Sequence, residues 1–171
     1  DLTSEVVKEY PSLQGLAGGF YAKKFGFPKN VQDAFSDQYK ISIFKKEVDF
    51  SIVLSLAQKT DSIFSFFSSK KKISGSGDPF GVRRISISII KILIENKLDL
   101  DLFQIFNCCQ KLNLEQKIQS VNDPQLIISF LNKRIEVFFI DEGYKAEVIK
   151  SCLNSKSFNP YIILSRIKNL T

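Results

Sequence analysis

Residues Asp78 to Leu93 read DPFGVRRISISIIKIL, and whether this stretch is strand or helix decides the fold class. Its middle, Ile85-Ser86-Ile87-Ser88-Ile89, alternates apolar and polar residues as a half-buried strand does. The flanks point the other way. Asp followed by Pro is a common helix start, because Asp accepts from free backbone amides and Pro loses nothing at the first helical position. Apolar residues then continue through Leu93 with no turn signal, longer than an ordinary strand. No hairpin turn or second strand pattern lies elsewhere in the chain. The stretch is predicted to be a long buried helix, and the fold all-α.

The same punctuation recurs outward from this segment. Asp123-Pro124 and Asn159-Pro160 repeat the cap-and-proline start, and Pro11 and Pro28 suggest two more. Ser51 can cap a helix to about Ser69, with Ile52, Leu56, Ile63 and Phe67 among its apolar positions. Gly26 and Gly143 read as helix stops, since Gly enters the left-handed region freely. After Asp123, Ile127, Phe130, Leu131, Ile135, Phe138 and Phe139 recur mostly at spacings of three and four, and Tyr161, Leu164 and Ile167 repeat the pattern. About eight helices and no sheet follow from this punctuation. Lys70 to Gly77, KKKISGSG, has the composition of an exposed linker, so a boundary is placed there, dividing 1–74 from 75–171. A second loop is expected around Asn113 to Asn122. No internal repeat is visible.

Composition narrows the chemistry. The chain has 171 residues, 44% of them hydrophobic and 25% charged, which suits a folded globular protein rather than a disordered one. Its longest apolar-rich stretch, Ile85 to Ile94, is interrupted by Ser86, Ser88 and Lys91, so no membrane span or membrane partner is expected. Histidine is absent, which removes Ser-His-Asp triads, Cys-His dyads and histidine metal sites. Methionine is also absent and the chain begins at Asp1, so it is expected to be a fragment or a processed product. Residues 1–10 lack the apolar core of a signal peptide. The three cysteines, Cys108, Cys109 and Cys152, form no metal-ligand spacing and read as reduced core thiols in a cytoplasmic protein.

The net charge of +6 permits contact with nucleic acid. It is spread evenly, with 11 basic and 8 acidic residues in 1–75 and 13 and 10 in 76–171. The run Gly75 to Arg84, GSGDPFGVRR, brings a Gly-rich turn, a helix start and the pair Arg83-Arg84 together. Amides at a helix start beside guanidinium groups can hold a phosphate, but Asp78 competes for those amides, and a capped helix with two exposed arginines is the simpler alternative. Lys70, Lys71 and Lys72 are either a solvated helix end or a phosphate contact, and with Arg83 and Arg84 they would form one basic ridge. Lys133 and Arg134 are weaker candidates. Gly15, Gly18 and Gly19 suit close helix packing. Asp141-Glu142, before Gly143, fits an exposed helix end rather than a carboxylate pair.

At this point the residues resemble a known family. DPFGVRR after GSG is similar to the DPFALRR segment of the beta subunit of bacterial heterotetrameric glycyl-tRNA synthetase. DLTSEVVKEYPSLQG at Asp1 to Gly15, Tyr21-Ala22, LAQKTD at Leu56 to Asp61, FLNKRIEVFFIDEGYKAEVIKSCL at Phe130 to Leu153, and Arg166 also resemble it, in order and over essentially the whole chain. The resemblance implies an HD-like helical domain over 1–74, then, over 75–171, the first part of a helical anticodon-binding region similar to the DALR type. It implies an enzyme that joins glycine to its tRNA using ATP, with catalysis in a separate alpha subunit. Glycine tRNA and the alpha subunit are then the partners, and no cofactor or catalytic residue is expected in this segment. Asp1 and Gln58 fall where an HD enzyme has metal-binding aspartates. Without histidine, and with Gln at 58, that site does not assemble, and Gln58, Lys59 and Asp61 are expected to be structural or surface polar groups. Gly77 stands where the family often has Lys, and Gly81 where it often has Ala, the latter expected to cost up to about 1 kcal/mol of helix stability. The expected function is tRNA recognition or scaffolding through Lys70, Lys71, Lys72, Arg83, Arg84, Lys133 and Arg134. The alternative is a subunit-interaction module without RNA contact, marked by an exposed Phe/Ile patch. A metal-dependent HD phosphohydrolase ranks last.

Overall fold

The computed structural model describes residues 4–69, 78, 80–116, 125–153 and 158–171. Along these run α1 (Glu5–Glu9), a 3-10 turn (Pro11–Leu13), α2 (Leu16–Lys24), α3 (Lys29–Asp37), α4 (Phe50–Ser68), α5 (Val82–Glu95), α6 (Leu102–Glu115), α7 (Gln125–Asp141), α8 (Ala146–Leu153) and α9 (Pro160–Leu170). There is no strand among the described residues, and the fold is all-α.

The Ile-Ser alternation sits inside α5, and burial shows why it does not make a strand. Ser86 and Ser88 are as buried as Ile89 and Ile90, so the alternation does not separate an inner from an outer face. Each hydroxyl is satisfied: Ser86 donates to the Arg83 carbonyl at 2.8 Å, and Ser88 to the Ile41 carbonyl at 2.6 Å. A helix buried on most sides is a central one, and α5 packs against α4, α7 and α9. Ile89, Ile90, Ile92 and Leu93 are fully enclosed, each contributing roughly 1.5–3 kcal/mol by burial. One hydrophobic cluster joins Ile52 and Ile63 of α4, these α5 residues, Phe106 of α6, Ile135 and Phe139 of α7, and Ile163 and Ile167 of α9. The expected boundary between 74 and 75 lies outside the described residues.

The helix ends follow local chemistry, with three departures from expectation. Asp49, not Ser51, caps α4: its Oδ1 accepts from the Ile52 amide at 3.2 Å, while Ser51 is buried with its hydroxyl unpartnered. A carboxylate complements the positive helix end better than a hydroxyl does. Asp78 does cap α5, but from further back. Its backbone carbonyl accepts from Gly81 N–H at 2.9 Å in a turn, and its Oδ2 accepts from the Arg83 amide at 3.0 Å. The helix therefore starts at Val82, with Gly81 left-handed at φ +64°. That removes the expected helix cost of Gly81, because the residue lies outside the helix in a conformation glycine favours. In α9 the buried positions are Ile163 and Ile167, while Tyr161 and Leu164 are half-buried.

Gly26 and Gly143 stop α2 and α7 as expected. At each, the glycine N–H returns to one carbonyl of the last turn and the next residue's N–H to the carbonyl before it, as Gly143 to Ile140 (2.9 Å) and Tyr144 to Phe139 (3.0 Å). α5 ends in the same way, but on Lys97 at φ +53°. Of the glycines expected at a close packing face, Gly15 and Gly19 meet α3. A methyl on Gly19 would collide with Ser36 Oγ and lie 3.3 Å from the Gln32 carbonyl. Asp141 and Glu142 are exposed at the end of α7.

Candidate functional site

A cleft of about 710 Å³ opens between α4 and the start of α5. Along α4, Gln58, Lys59, Ser62, Ser65, Phe66 and Ser69 share its wall, because spacings of three, four and seven keep residues on one face. Gly81, Val82, Arg84 and Ser88 of the opposing segment face them, and Tyr39 and Ile41 lie between.

Lys59 is the unexpected member. It is 3% exposed, not a surface group. Its ammonium donates to the Gln38 carbonyl at 2.6 Å and to Ser55 Oγ at 2.6 Å. No carboxylate pairs with it among the described residues. Burial without a counter-charge disfavours the ammonium form and lowers its pKa to about 8. Position 59 could have been recognised in the sequence: it lies three residues after Leu56 and four before Ile63, on the apolar stripe of α4. Gln58, its neighbour, is half-buried and donates from Nε2 to Ser62 Oγ at 2.9 Å. Asp61 is exposed. Asp1 lies outside the described residues. Among the described residues, no three His, Cys, Asp or Glu side chains converge where a metal could sit.

Of the expected basic ridge, Lys70, Lys71 and Lys72 lie outside the described residues. Arg83 is half-buried and Arg84 exposed. The two share a shallow groove with Ile41 and Ile87. Arg84 folds back over Gly81, with a terminal nitrogen 3.3 Å from where a Gly81 Cβ would stand, and this puts its guanidinium on the cleft wall. Lys133 is exposed and approaches Glu136 only to 3.9 Å, a pair worth little in water. Arg134 is half-buried, its guanidinium carbon 5.9 Å from the Phe130 ring centre and its Nε buried without a partner.

Aromatic rings connect the cleft with Arg134. Phe80 meets Phe66 at 5.5 Å between centroids, Phe66 meets Phe67 at 5.4 Å, and Phe67 meets Phe130 at 5.5 Å. Phe130 is the ring beneath Arg134. Arg134 thus stands at one end of an aromatic row whose other end, Phe80, lines the same cleft as Arg84, a relationship no spacing in the sequence reveals.

The surface is also rich in exposed apolar side chains. Leu16 and Phe20 stand one turn apart on α2, with Phe25 and Phe27 after them, and Phe44, Val48, Phe50 and Val53 are exposed before and in α4. Of the three cysteines expected in the core, only Cys152 is buried. Cys108 is exposed because its position on α6 points away from the enclosed Leu102 and Phe106. No helix among the described residues is long and apolar enough to cross a membrane.

A sequence profile of the family described as "Glycyl-tRNA synthetase beta subunit" matches residues 1–154. The chain is similar to the Rickettsia canadensis protein named glycine–tRNA ligase beta subunit, 38% identical over 90% of this chain and 23% of that protein. It is similar to the proteins of the same name from Persephonella marina, 32% identical over 99% of this chain and 26% of that protein, and Colwellia psychrerythraea, 32% identical over 100% and 25%. The chain thus spans about a quarter of the length of the curated relatives it matches.

Proposed function

The chain belongs to the glycyl-tRNA synthetase beta subunit family, and from that membership we propose that it is a tRNA-facing helical segment of a glycine–tRNA ligase beta subunit. The whole enzyme attaches glycine to its tRNA with ATP in the cytoplasm, and the bond-making site belongs to the alpha subunit. This segment holds no catalytic group. Residues 1–74 serve as an HD-like scaffold, and 75–171 begin the anticodon-binding region. The basic groups Lys70, Lys71, Lys72, Arg83, Arg84, Lys133 and Arg134 contact the phosphate backbone.

The observation that carries this reading is the exposed Arg84 beside Arg83, on the cleft that also holds one end of an aromatic row reaching Arg134. Guanidinium groups suit phosphate oxygens, and of the rings in the row the half-exposed Phe80 offers a face to an unstacked base, Phe66 being part of the core. The test is binding of the full chain to glycine tRNA and to an unrelated tRNA over a salt series. Replacing Arg83 and Arg84 with Ala is expected to flatten the log–log salt slope by about 0.7–0.9 for each phosphate no longer neutralised. A slope that does not change removes the arginines from the interface, and equal weak binding of both tRNAs leaves only general basicity.

A second reading is favoured by Phe20, Phe25, Phe44 and Phe50, each exposed by more than half. Exposed apolar side chains are what a docking face presents, and in this reading the segment holds the alpha subunit or the rest of beta without touching RNA. Retained assembly in the absence of any tRNA binding would distinguish it.

A further inference from the structure

We propose that the cleft between α4 and the start of α5 is a binding site for a mononucleotide-sized phosphate ester, with Lys59 and Arg84 as its cationic groups. This goes beyond backbone contact on the outer surface. The volume of about 710 Å³ lies within the range of small-molecule sites and exceeds what a lone inorganic anion needs. Among the described residues, two that line the cleft are cations and none is an acid. Lys59 lines the cleft, and its ammonium spends two of its three donors on Gln38 and Ser55. A buried ammonium without a counter-ion is a standing electrostatic deficit, and an arriving phosphate would relieve it. Arg84 supplies a planar fork suited to phosphate oxygens.

The remainder of the cleft suits a base and a sugar. Tyr39, Phe66 and Phe80 contribute aromatic surface, with Phe80 half-exposed and packed on Phe66. Ser65 is exposed on the same face of α4 and presents a hydroxyl of the kind that pairs with ribose. The phosphate ester could be a free nucleotide or a nucleotide within an RNA strand.

Calorimetric titration of the full chain with AMP, with adenosine and with a 5′-phosphorylated ribotrinucleotide tests the assignment. AMP is expected to bind with a Kd below about 1 mM, and adenosine at least about tenfold more weakly. Lys59→Met and Arg84→Gln are each expected to weaken AMP at least about fivefold, with Lys111→Ala, on the exposed face of α6, as the charge control. Lys59→Met is checked for folding by its melting curve, and Arg84→Gln, an exposed position, carries the test if that variant unfolds. Competition won by the trinucleotide assigns the site to RNA, and competition won by AMP assigns it to a free nucleotide. Binding of neither, equal binding of AMP and adenosine, or AMP binding indifferent to both substitutions would overturn the proposal. Loss of tRNA binding with AMP binding retained would sink only the surface-contact reading, and the reverse would sink only this one.

Discussion

Lys59 of α4 donates to the backbone carbonyl of Gln38, just past α3, across 2.6 Å. Ser55 donates to the same carbonyl at 3.0 Å, so one chain oxygen gathers a hydroxyl and an ammonium from successive turns of α4. The arrangement fixes a pH dependence. The folded pKa of Lys59, about 8, lies below the 10.5 of an ordinary lysine, so the unfolded chain binds more protons between these values. The cost of the buried charge is full below pH 8 and disappears as pH rises toward 10.5. Wild type is therefore expected to gain about 1–3 kcal/mol relative to Lys59→Met between pH 7 and pH 10, read by urea unfolding. Parallel curves for the two proteins would mean that solvent already reaches the ammonium.

Asp37 behaves in the opposite sense. Burial alone would raise its pKa, but ion pairs with Lys40 at 2.7 Å and Lys45 at 3.0 Å hold it below the ordinary carboxylate value. Lys45 is raised in return, mainly by its bond to Asp37. The stability from this cluster is complete above the unfolded carboxylate pKa and lost as pH falls through the folded one. Asp37→Asn is expected to cost about 1–2 kcal/mol at pH 7 and progressively less on acidification. Chemical denaturation at pH 7 and pH 3 measures both numbers.

Gly19 and Ser36 form a coupled pair across α2 and α3. Gly19→Ala gains helix propensity but drives a methyl into Ser36 Oγ, which donates to the Gln32 carbonyl at 3.2 Å. The single variant is expected to lose about 1–2 kcal/mol. Adding Ser36→Ala leaves Ser36 Cβ at 3.4 Å and the Gln32 carbonyl at 3.3 Å as the tightest neighbours, so at least half of the loss should return. Additive losses in a double-mutant cycle would refute the close approach.

Lys97 stands where α2 and α7 have their terminal glycines, at φ +53°. Left-handed backbone costs a side-chain-bearing residue roughly 1–2 kcal/mol, partly offset by the extra freedom glycine has when unfolded. Lys97→Gly is expected to stabilise the chain by about 0.5–1 kcal/mol, and Gly143→Ala to destabilise it by a similar amount. A lower melting temperature for Lys97→Gly would contradict this account.

Most of the helical plan was legible in the residues, because caps and stops act over a few positions. Asn159 shows it well: its side chain accepts from the Tyr161 amide at 2.9 Å, where a cap before Pro160 belongs. What local signals missed was competition between neighbours. Ser51 is a fair cap until Asp49, two residues earlier, offers a carboxylate. The Gly81 expectation failed because a glycine's cost depends on whether the helix has already begun. The site was less legible than the fold. Arg83 and Arg84 were visible as charges, but the cleft is made by residues from Gln14 to Ser88 that only tertiary packing brings together. Lys59 was readable in principle, since a charged residue on an apolar stripe must be buried or must break the stripe.

Residues 40–49 have the length and irregularity of a surface loop, yet α5 and its C-cap Asn96 hold residues 41–45 at several points. Ser88 binds the Ile41 carbonyl, Glu95 accepts from the Ser42 hydroxyl, and Asn96 both donates to the Ile43 carbonyl and accepts from the Lys45 amide. Such a connection has no slack to give. An affinity tag or an inserted residue between 41 and 45 would pull rivets rather than lengthen a bend, so this part of the connection, for all its lack of helix, is as poor a place to splice new sequence as the middle of α5 itself.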